Sequence, residues 1–232
     1  MTNEKKESVI IVAGGKGLRA GGDLPKQFQP VGGMPMLMRT LQAFHHYNVR
    51  MKIVVVLPDG FQYLWKRLCA EHHFTVPHKV VSGGETRFHS VKNGLREIED
   101  DEMVGVHDAA RPFVSTALIA SCFEAAWQHG CGVIPVVEEI NSVRLLTESG
   151  SRMIDREKLR VIQTPQVFPG AELKKAYETG FDPAFTDDAS VAEKQGVPIL
   201  LIHGEESNFK ITTPFDWIVA ESYCQLIVKT TN

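Results

Sequence analysis

Short runs of aliphatic residues alternate along the chain with stretches whose apolar positions recur at helical spacing. Residues 8–13 (SVIIVA), 52–58 (KIVVVLP), 78–84 (HKVVSGG), 103–108 (MVGVHD), 132–137 (GVIPVV) and 198–204 (PILLIHG) are continuous, rich in β-branched side chains and bounded by Gly, Pro or Asp. Such runs predict strands buried on both faces. Between them Leu37, Leu41 and Phe44 fall at i, i+4, i+7, as do Val91, Leu95 and Ile98, and Leu118, Cys122 and Ala125. Each set makes one apolar helical stripe. Strand, crossover helix and strand in repetition predict an α/β, Rossmann-like fold, a mostly parallel twisted sheet flanked by helices.

Residues 138–168 break that rhythm. SVRLL and RMIDR flank the turn-rich TESGS, and a second extended run, LRVIQTPQVF, follows. This pattern predicts a β-hairpin arm projecting from a single domain of 1–232. A two-stranded arm is marginal alone in water, so a second copy of the chain is the expected partner, making a homodimer through the arm.

Composition narrows the function classes. The chain has 232 residues, 43% hydrophobic and 23% charged, and a net charge of −3. That balance supplies no broad field for nucleic acid, so any anion site must arise from local clustering of Arg and Lys. The four cysteines (69, 122, 131, 224) show no metal or disulfide spacing, and the nine histidines show no HExxH or HxH pattern. Reduced thiols in a cytoplasmic protein and packing or surface histidines are the simplest reading. The amino-terminal MTNEKKES leads into only five apolar residues, too few for a signal peptide, and no run is long enough for a membrane span.

The loop after the first run, AGGKGLRAGGDLPKQF, carries the candidate chemistry. Gly15, Gly17 and Ala20 fit the dinucleotide fingerprint G-x-G-x-x-G/A, but that motif needs a helix to start at once, and Gly21, Gly22, Pro25 and Pro30 oppose one. The P-loop string is absent, and a solvated turn with incidental charge is the plain alternative. The favoured reading is a triphosphate loop. Gly14, Gly15 and Gly17 let backbone N–H groups approach phosphate oxygens, while Arg19 and Lys26 supply cations at the carboxyl end of the sheet. Asp108 ends a predicted strand at the same edge, as an N-cap of the next helix or a ligand of Mg²⁺ on a phosphate; Pro112 so soon afterwards opposes the cap.

The loop resembles the G-x-G-x-R…P-K signature of nucleotidyltransferases. SGGETRFHSVKNGL (82–95), VHDAARPF (106–113), QTPQVF (163–168), TDDASVAE (186–193) and NFKITTPFDWIVAE (208–221) are similar, in order, to the remaining blocks of the methylerythritol phosphate cytidylyltransferases. The resemblance implies attack by the phosphate of 2-C-methyl-D-erythritol 4-phosphate on the α-phosphorus of CTP, with Mg²⁺ and release of pyrophosphate. It implies Arg19 and Lys26 as catalytic cations, joined by Arg156 and Lys210, which would also bind and aim the methylerythritol phosphate. Ala13, Gly14, Gly83 and Ser90 would select the cytosine base; Gly83 could equally be a strand-exit turn and Ser90 a residue of a helix start. Asp108 becomes the favoured metal ligand. Thr164 and Ser142 are implied in substrate contact, while Arg111 either anchors substrate phosphate or braces its loop. Asp187 and Asp188 are expected to serve a helix amino terminus rather than acid-base chemistry.

The chain departs from the family pattern where Asp-Thr commonly stands: here Asn141 and Ser142 precede Val143 and Arg144. Ser142 keeps a hydroxyl but the carboxylate is gone. Rival readings are a ribitol 5-phosphate cytidylyltransferase, a non-catalytic nucleotide-binding regulatory module and a nicotinamide-dependent oxidoreductase using residues 15–20. HDAARPF together with TDDAS favours the methylerythritol enzyme.

Overall fold

The continuous aliphatic runs become the strands of one sheet, and the stripes between them become the helices that cover it. The structure is a computed structural model, and it describes residues 5–13 and 24–231. In chain order the first half holds β1 (Glu7–Val12), a 3₁₀ turn (Lys26–Phe28), β2 (Pro30–Val31), β3 (Met34–Pro35), α1 (Met36–Tyr47), β4 (Lys52–Leu57), α2 (Gln62–Glu71), β5 (Lys79–Ser82), α3 (Arg87–Leu95) and β6 (Met103–Asp108). The second half holds α4 (Thr116–His129), β7 (Gly132–Glu138), β8 (Val143–Thr147), β9 (Gly150–Ile154), a 3₁₀ turn (Arg156–Lys158), β10 (Arg160–Ile162), β11 (Gln166–Pro169), α5 (Gly170–Ala176), α6 (Asp188–Lys194), β12 (Ile199–His203) and α7 (Pro214–Thr231).

The sheet runs β5–β4–β1–β6–β11–β7–β12. Strands β5, β4, β1 and β6 are mutually parallel, and β12 is parallel to β7. β11 runs antiparallel between β6 and β7, and β10 pairs antiparallel with the far end of β7 on the same flank. Alternation along each strand sorts the core into two layers. Val9 and Ile11 face α1, α2 and α4 through Leu37, Leu41, Phe44, Trp65 and Phe123. Ile10, Val104 and Val106 face α3, α5 and α6 through Phe88, Val91, Leu95, Leu173 and Ala192. Burying such side chains contributes roughly 1.5–3 kcal/mol each, so the strands and helices are held by packing rather than by propensity. α7 packs as a third cluster, with Ala220 and Cys224 against Val31 and Met36 beside the β2–β3 ribbon.

Two details differ from the reading of the sequence. The runs at 78–84 and 198–204 are not doubly buried: β5 and β12 are the outer strands, and Leu201 is 51% exposed. A strand at a sheet margin keeps its β-branched character for pairing while its faces are only partly roofed. The projecting hairpin is also shorter than 138–168. Only β8 and β9 form a separate exposed ribbon, whereas β10 and β11 return into the main sheet.

Candidate active site

The carboxyl ends of β1 and β6 are level, with Val12 in register with Asp108. Asp108 therefore stands at the mouth of the sheet beside the end of the first strand, where open α/β sheets bind ligands. It does not cap the next helix; Ser115 does, accepting the Leu118 N–H at 2.9 Å. Three cations converge on Asp108. Lys210 Nζ lies 2.9 Å from Oδ2, Arg111 Nε 3.6 Å from Oδ2, and Arg87 Nε 3.6 Å from Oδ1. Burial works against the charged form of this carboxyl, but Arg87, Lys210 and Arg111 outweigh it and hold its pKa well below the usual carboxylate range. Asp108 is thus an anion at any working pH.

Behind it runs a directional hydrogen-bond chain. The Asp108 N–H donates to Thr164 Oγ1 at 3.1 Å, Thr164 Oγ1 lies 3.0 Å from His107 Nδ1, and His107 Nε2 lies 3.1 Å from the Arg111 carbonyl. A carbonyl only accepts, so Nε2 carries the ring proton; in a neutral imidazole Nδ1 then accepts from the Thr164 hydroxyl. Burial keeps His107 neutral by pushing its pKa down to about 4. Thr164, Arg111 and His107 are all buried, and together they fix the backbone beneath the carboxylate.

The QTPQ block ties three segments to this point. Gln163 bridges the 205–208 loop, donating to the Glu205 carbonyl at 2.7 Å and accepting from Asn208 Nδ2 at 3.2 Å. Asn208 also donates to the Thr164 carbonyl at 2.8 Å, and Arg111 Nη1 donates to the Asn208 carbonyl at 2.7 Å. Lys210 is two residues beyond this clamp, which explains how an exposed loop can aim its ammonium at Asp108. Gln166 accepts from the N–H groups of Asp188 and Ala189 at 3.0 and 2.9 Å, joining β11 to the start of α6. Arg111 donates through Nη2 to the Ile162 carbonyl at 3.2 Å, so its contacts are those of a brace. Asp187 caps α6 in a capping box with Ser190.

Gly14, Gly15, Gly17 and Arg19 lie outside the described residues. Both flanks of their loop are anchored. The Ala13 N–H donates to the Val56 carbonyl at 2.9 Å, and the Ala13 carbonyl accepts from buried Gln27 Nε2 at 3.0 Å. Lys26, the first residue of the 3₁₀ turn, donates to the Ile211 carbonyl at 3.1 Å, next to Lys210. Gly83 and Ser90 meet across one turn: the Gly84 N–H donates to Ser90 Oγ at 3.1 Å, and a Cβ on Gly83 would come within 3.0 Å of that oxygen. Ser90 is both a residue of the first turn of α3 and the clasp of the glycine turn.

Comparison with known proteins decides the family. The family described as 2-C-methyl-D-erythritol 4-phosphate cytidylyltransferase, IspD, matches residues 8–226. The chain belongs to this family. A relative of that name from Bacteroides thetaiotaomicron is 57% identical over 91% of this chain and 96% of its own. One from Bacteroides fragilis is 54% identical over 93% and 98%. Among solved structures, 4-diphosphocytidyl-2C-methyl-D-erythritol synthase from Anaerococcus prevotii superposes with a TM-score of 0.81 at 28% identity, covering 95% of this chain and 96% of that one. The Thermus thermophilus cytidylyltransferase gives 0.74 at 33% identity over 95% and 99%.

In this IspD chain the remaining candidates sit apart. Ser142 and Arg156 lie at the base of the hairpin, both exposed; Arg156 Nη1 donates to the Ile140 carbonyl. No hydrogen bond or ion pair among the described residues joins them to the Asp108 group. Arg87, Asp188, Gln27 and Asn208 enter the site although sequence reasoning gave them no role there. Arg87 and Asp188 sit within quoted blocks, but only their contact across the fold singles them out. Among the described residues no group of three or more His, Cys, Asp or Glu side chains could hold a metal. A phosphate-bridged Mg²⁺ keeps most of its waters and needs few protein ligands, so one carboxylate at the mouth of the sheet, as Asp108 is, fits that ion.

Proposed function

We propose that this IspD chain joins CTP and 2-C-methyl-D-erythritol 4-phosphate to give 4-diphosphocytidyl-2-C-methyl-D-erythritol and pyrophosphate. The observation that carries this reading is the gathering of Asp108, Lys210 and, through the Ile211 carbonyl next to Lys210, Lys26 at the carboxyl ends of β1 and β6. In this reading an oxygen of the methylerythritol phosphate forms a bond to the α-phosphorus. The bond from that phosphorus to the bridging oxygen breaks, and pyrophosphate leaves with the electron pair. Such a displacement asks the protein for position and charge rather than covalent chemistry. Lys26 and Arg19 neutralise charge developing on the α-phosphate, and Lys210 passes from Asp108 to the incoming phosphate. Gly83 and Ser90, with Ala13, Gly14, Gly15 and Gly17, hold the nucleotide, and Arg111 and Thr164 hold Asp108. Mg²⁺ held by Asp108 would draw off charge from the triphosphate oxygens.

The exposed apolar side chains of the arm, Leu146 at 82% and Met153 at 75%, support a homodimer through β8 and β9. In such a dimer Arg156 and Ser142 serve the partner's substrate. All four cysteines are free thiols, in keeping with a cytoplasmic protein, and among the described residues no helix is long and apolar enough to cross a membrane. The test is pyrophosphate release with Mg²⁺ and each of CTP, ATP, GTP and UTP, paired with methylerythritol phosphate or ribitol 5-phosphate. Release is expected with CTP and methylerythritol phosphate; release with CTP and ribitol phosphate alone would overturn the proposal.

A further inference from the structure

Arg87, the first residue of α3, is held between two carboxylates. Its Nη1 and Nη2 donate to Asp188 Oδ1 and Oδ2 at 3.0 and 2.6 Å, while its Nε faces Asp108 Oδ1 at 3.6 Å. Asp188 is fully buried and accepts the Tyr177 hydroxyl at 2.7 Å. Its backbone is pinned in turn, since its N–H donates to Gln166 at 3.0 Å.

A fork-to-fork ion pair that buries a whole carboxylate is an expensive way to join two helices, because an apolar pair of similar volume does so at least as well. What an apolar pair cannot supply is a cation of fixed bearing next to a third group. A lysine would not supply it either, having no planar fork to engage one carboxylate while a separate N–H faces another. Asp188 is fully buried and its carboxylate oxygens are taken up by Arg87 and Tyr177, so it has no direct route to substrate.

We propose that Asp188 is a positioning residue of the transfer site. It grips the far edge of the Arg87 guanidinium so that Nε stays turned to Asp108, and Tyr177 holds Asp188 in the orientation that makes this grip bidentate. The Asp108 carboxylate is thereby fixed at Oδ1, while Lys210 is paired with Oδ2. Two blocks far apart in sequence, around residues 87 and 188, thus act on the reacting end of the sheet through one guanidinium. This inference rests on the transferase reading above.

The experiment is a double-variant cycle on the full chain with Mg²⁺, CTP and methylerythritol phosphate, following pyrophosphate, with folding of each variant checked by circular dichroism. Asp188→Asn keeps the shape and an acceptor for Tyr177 but breaks the bidentate pair. Its kcat is expected to fall at least tenfold with KM for CTP changed less than threefold. Combining it with Arg87→Gln is expected to slow the enzyme no further than Arg87→Gln alone. Tyr177→Phe removes a single hydroxyl, and serves should either of the others fail to fold; a two- to fivefold lower kcat is expected. A folded Asp188→Asn variant with unchanged kcat, losses that multiply in the double variant, or wild-type kcat in Tyr177→Phe would overturn the proposal. A wild-type protein that releases no pyrophosphate would defeat the transferase reading and this inference with it.

Discussion

His107 and Thr164 spend their polar atoms on each other and on the backbone around Asp108. The His107 ring must stay neutral to accept from Thr164, and burial keeps it so. Because its folded pKa is lowered to about 4 from 6.5, the unfolded chain takes up a proton first as the pH falls. The stability that depends on the neutral ring is complete above about 6.5 and is lost on the way down to about 4, a change on the order of 3 kcal/mol. Urea denaturation at several pH values should show this slope in wild type and a flatter one in His107→Gln; equal slopes would place the acid sensitivity elsewhere. Thr164→Val leaves both the Asp108 N–H and His107 Nδ1 without a partner. It should cost about 1–3 kcal/mol in the same assay. Lys26→Ala is the opposite case: losing its hydrogen bond to the Ile211 carbonyl should cost about 1 kcal/mol of stability, while kcat falls on the order of a hundredfold. A Lys26→Ala variant of normal turnover would remove this loop from the chemistry.

Helix α3 carries the largest share of the site's alignment. It begins at Arg87, its N-cap Thr86 accepts the His89 N–H, and Ser90 clasps the glycine turn. It lies against β1 and β4 through Gly94, where an added Cβ would come 2.7 Å from Ile10 Cγ2 and 3.2 Å from Val56 Cγ2. Gly94→Ala must therefore lift the helix, at a cost of about 1–3 kcal/mol, despite the better helix propensity of Ala. Raised KM for CTP should accompany the loss of stability, because Ser90 rides on the same helix; a variant as stable as wild type would show that the contact yields. The predicted helical stripes at 37–44, 91–98 and 118–125 were readable because packing onto a sheet imposes their period. The status of β5 and β12 as outer strands was not, since β-branched runs look alike at the centre and margin of a sheet.

The assembled molecule sets the arm apart from everything else. β8 and β9 expose Leu145, Leu146 and Met153 on a ribbon separate from the main sheet. If two copies join there, Leu146→Glu with Met153→Glu should leave the fold intact and give a monomer of reduced activity. Sedimentation velocity would register that change, and an undisturbed dimer would rule out these side chains as the contact.

Hydrophobic period, glycine placement and the ordered polar blocks determined the α/β architecture and the family, because burial and local turn chemistry write themselves into neighbouring positions. What only the tertiary structure decided is which of those groups touch one another. Arg87 reaches Asp188 and Lys210 reaches Asp108 across about a hundred residues of chain. Thr164 and Arg111, read from sequence as substrate contacts or braces, have their polar atoms engaged with the backbone around Asp108. Such pairings leave no mark on local periodicity, since a buried polar side chain shows in sequence only as a polar residue, and its partner is chosen by the fold.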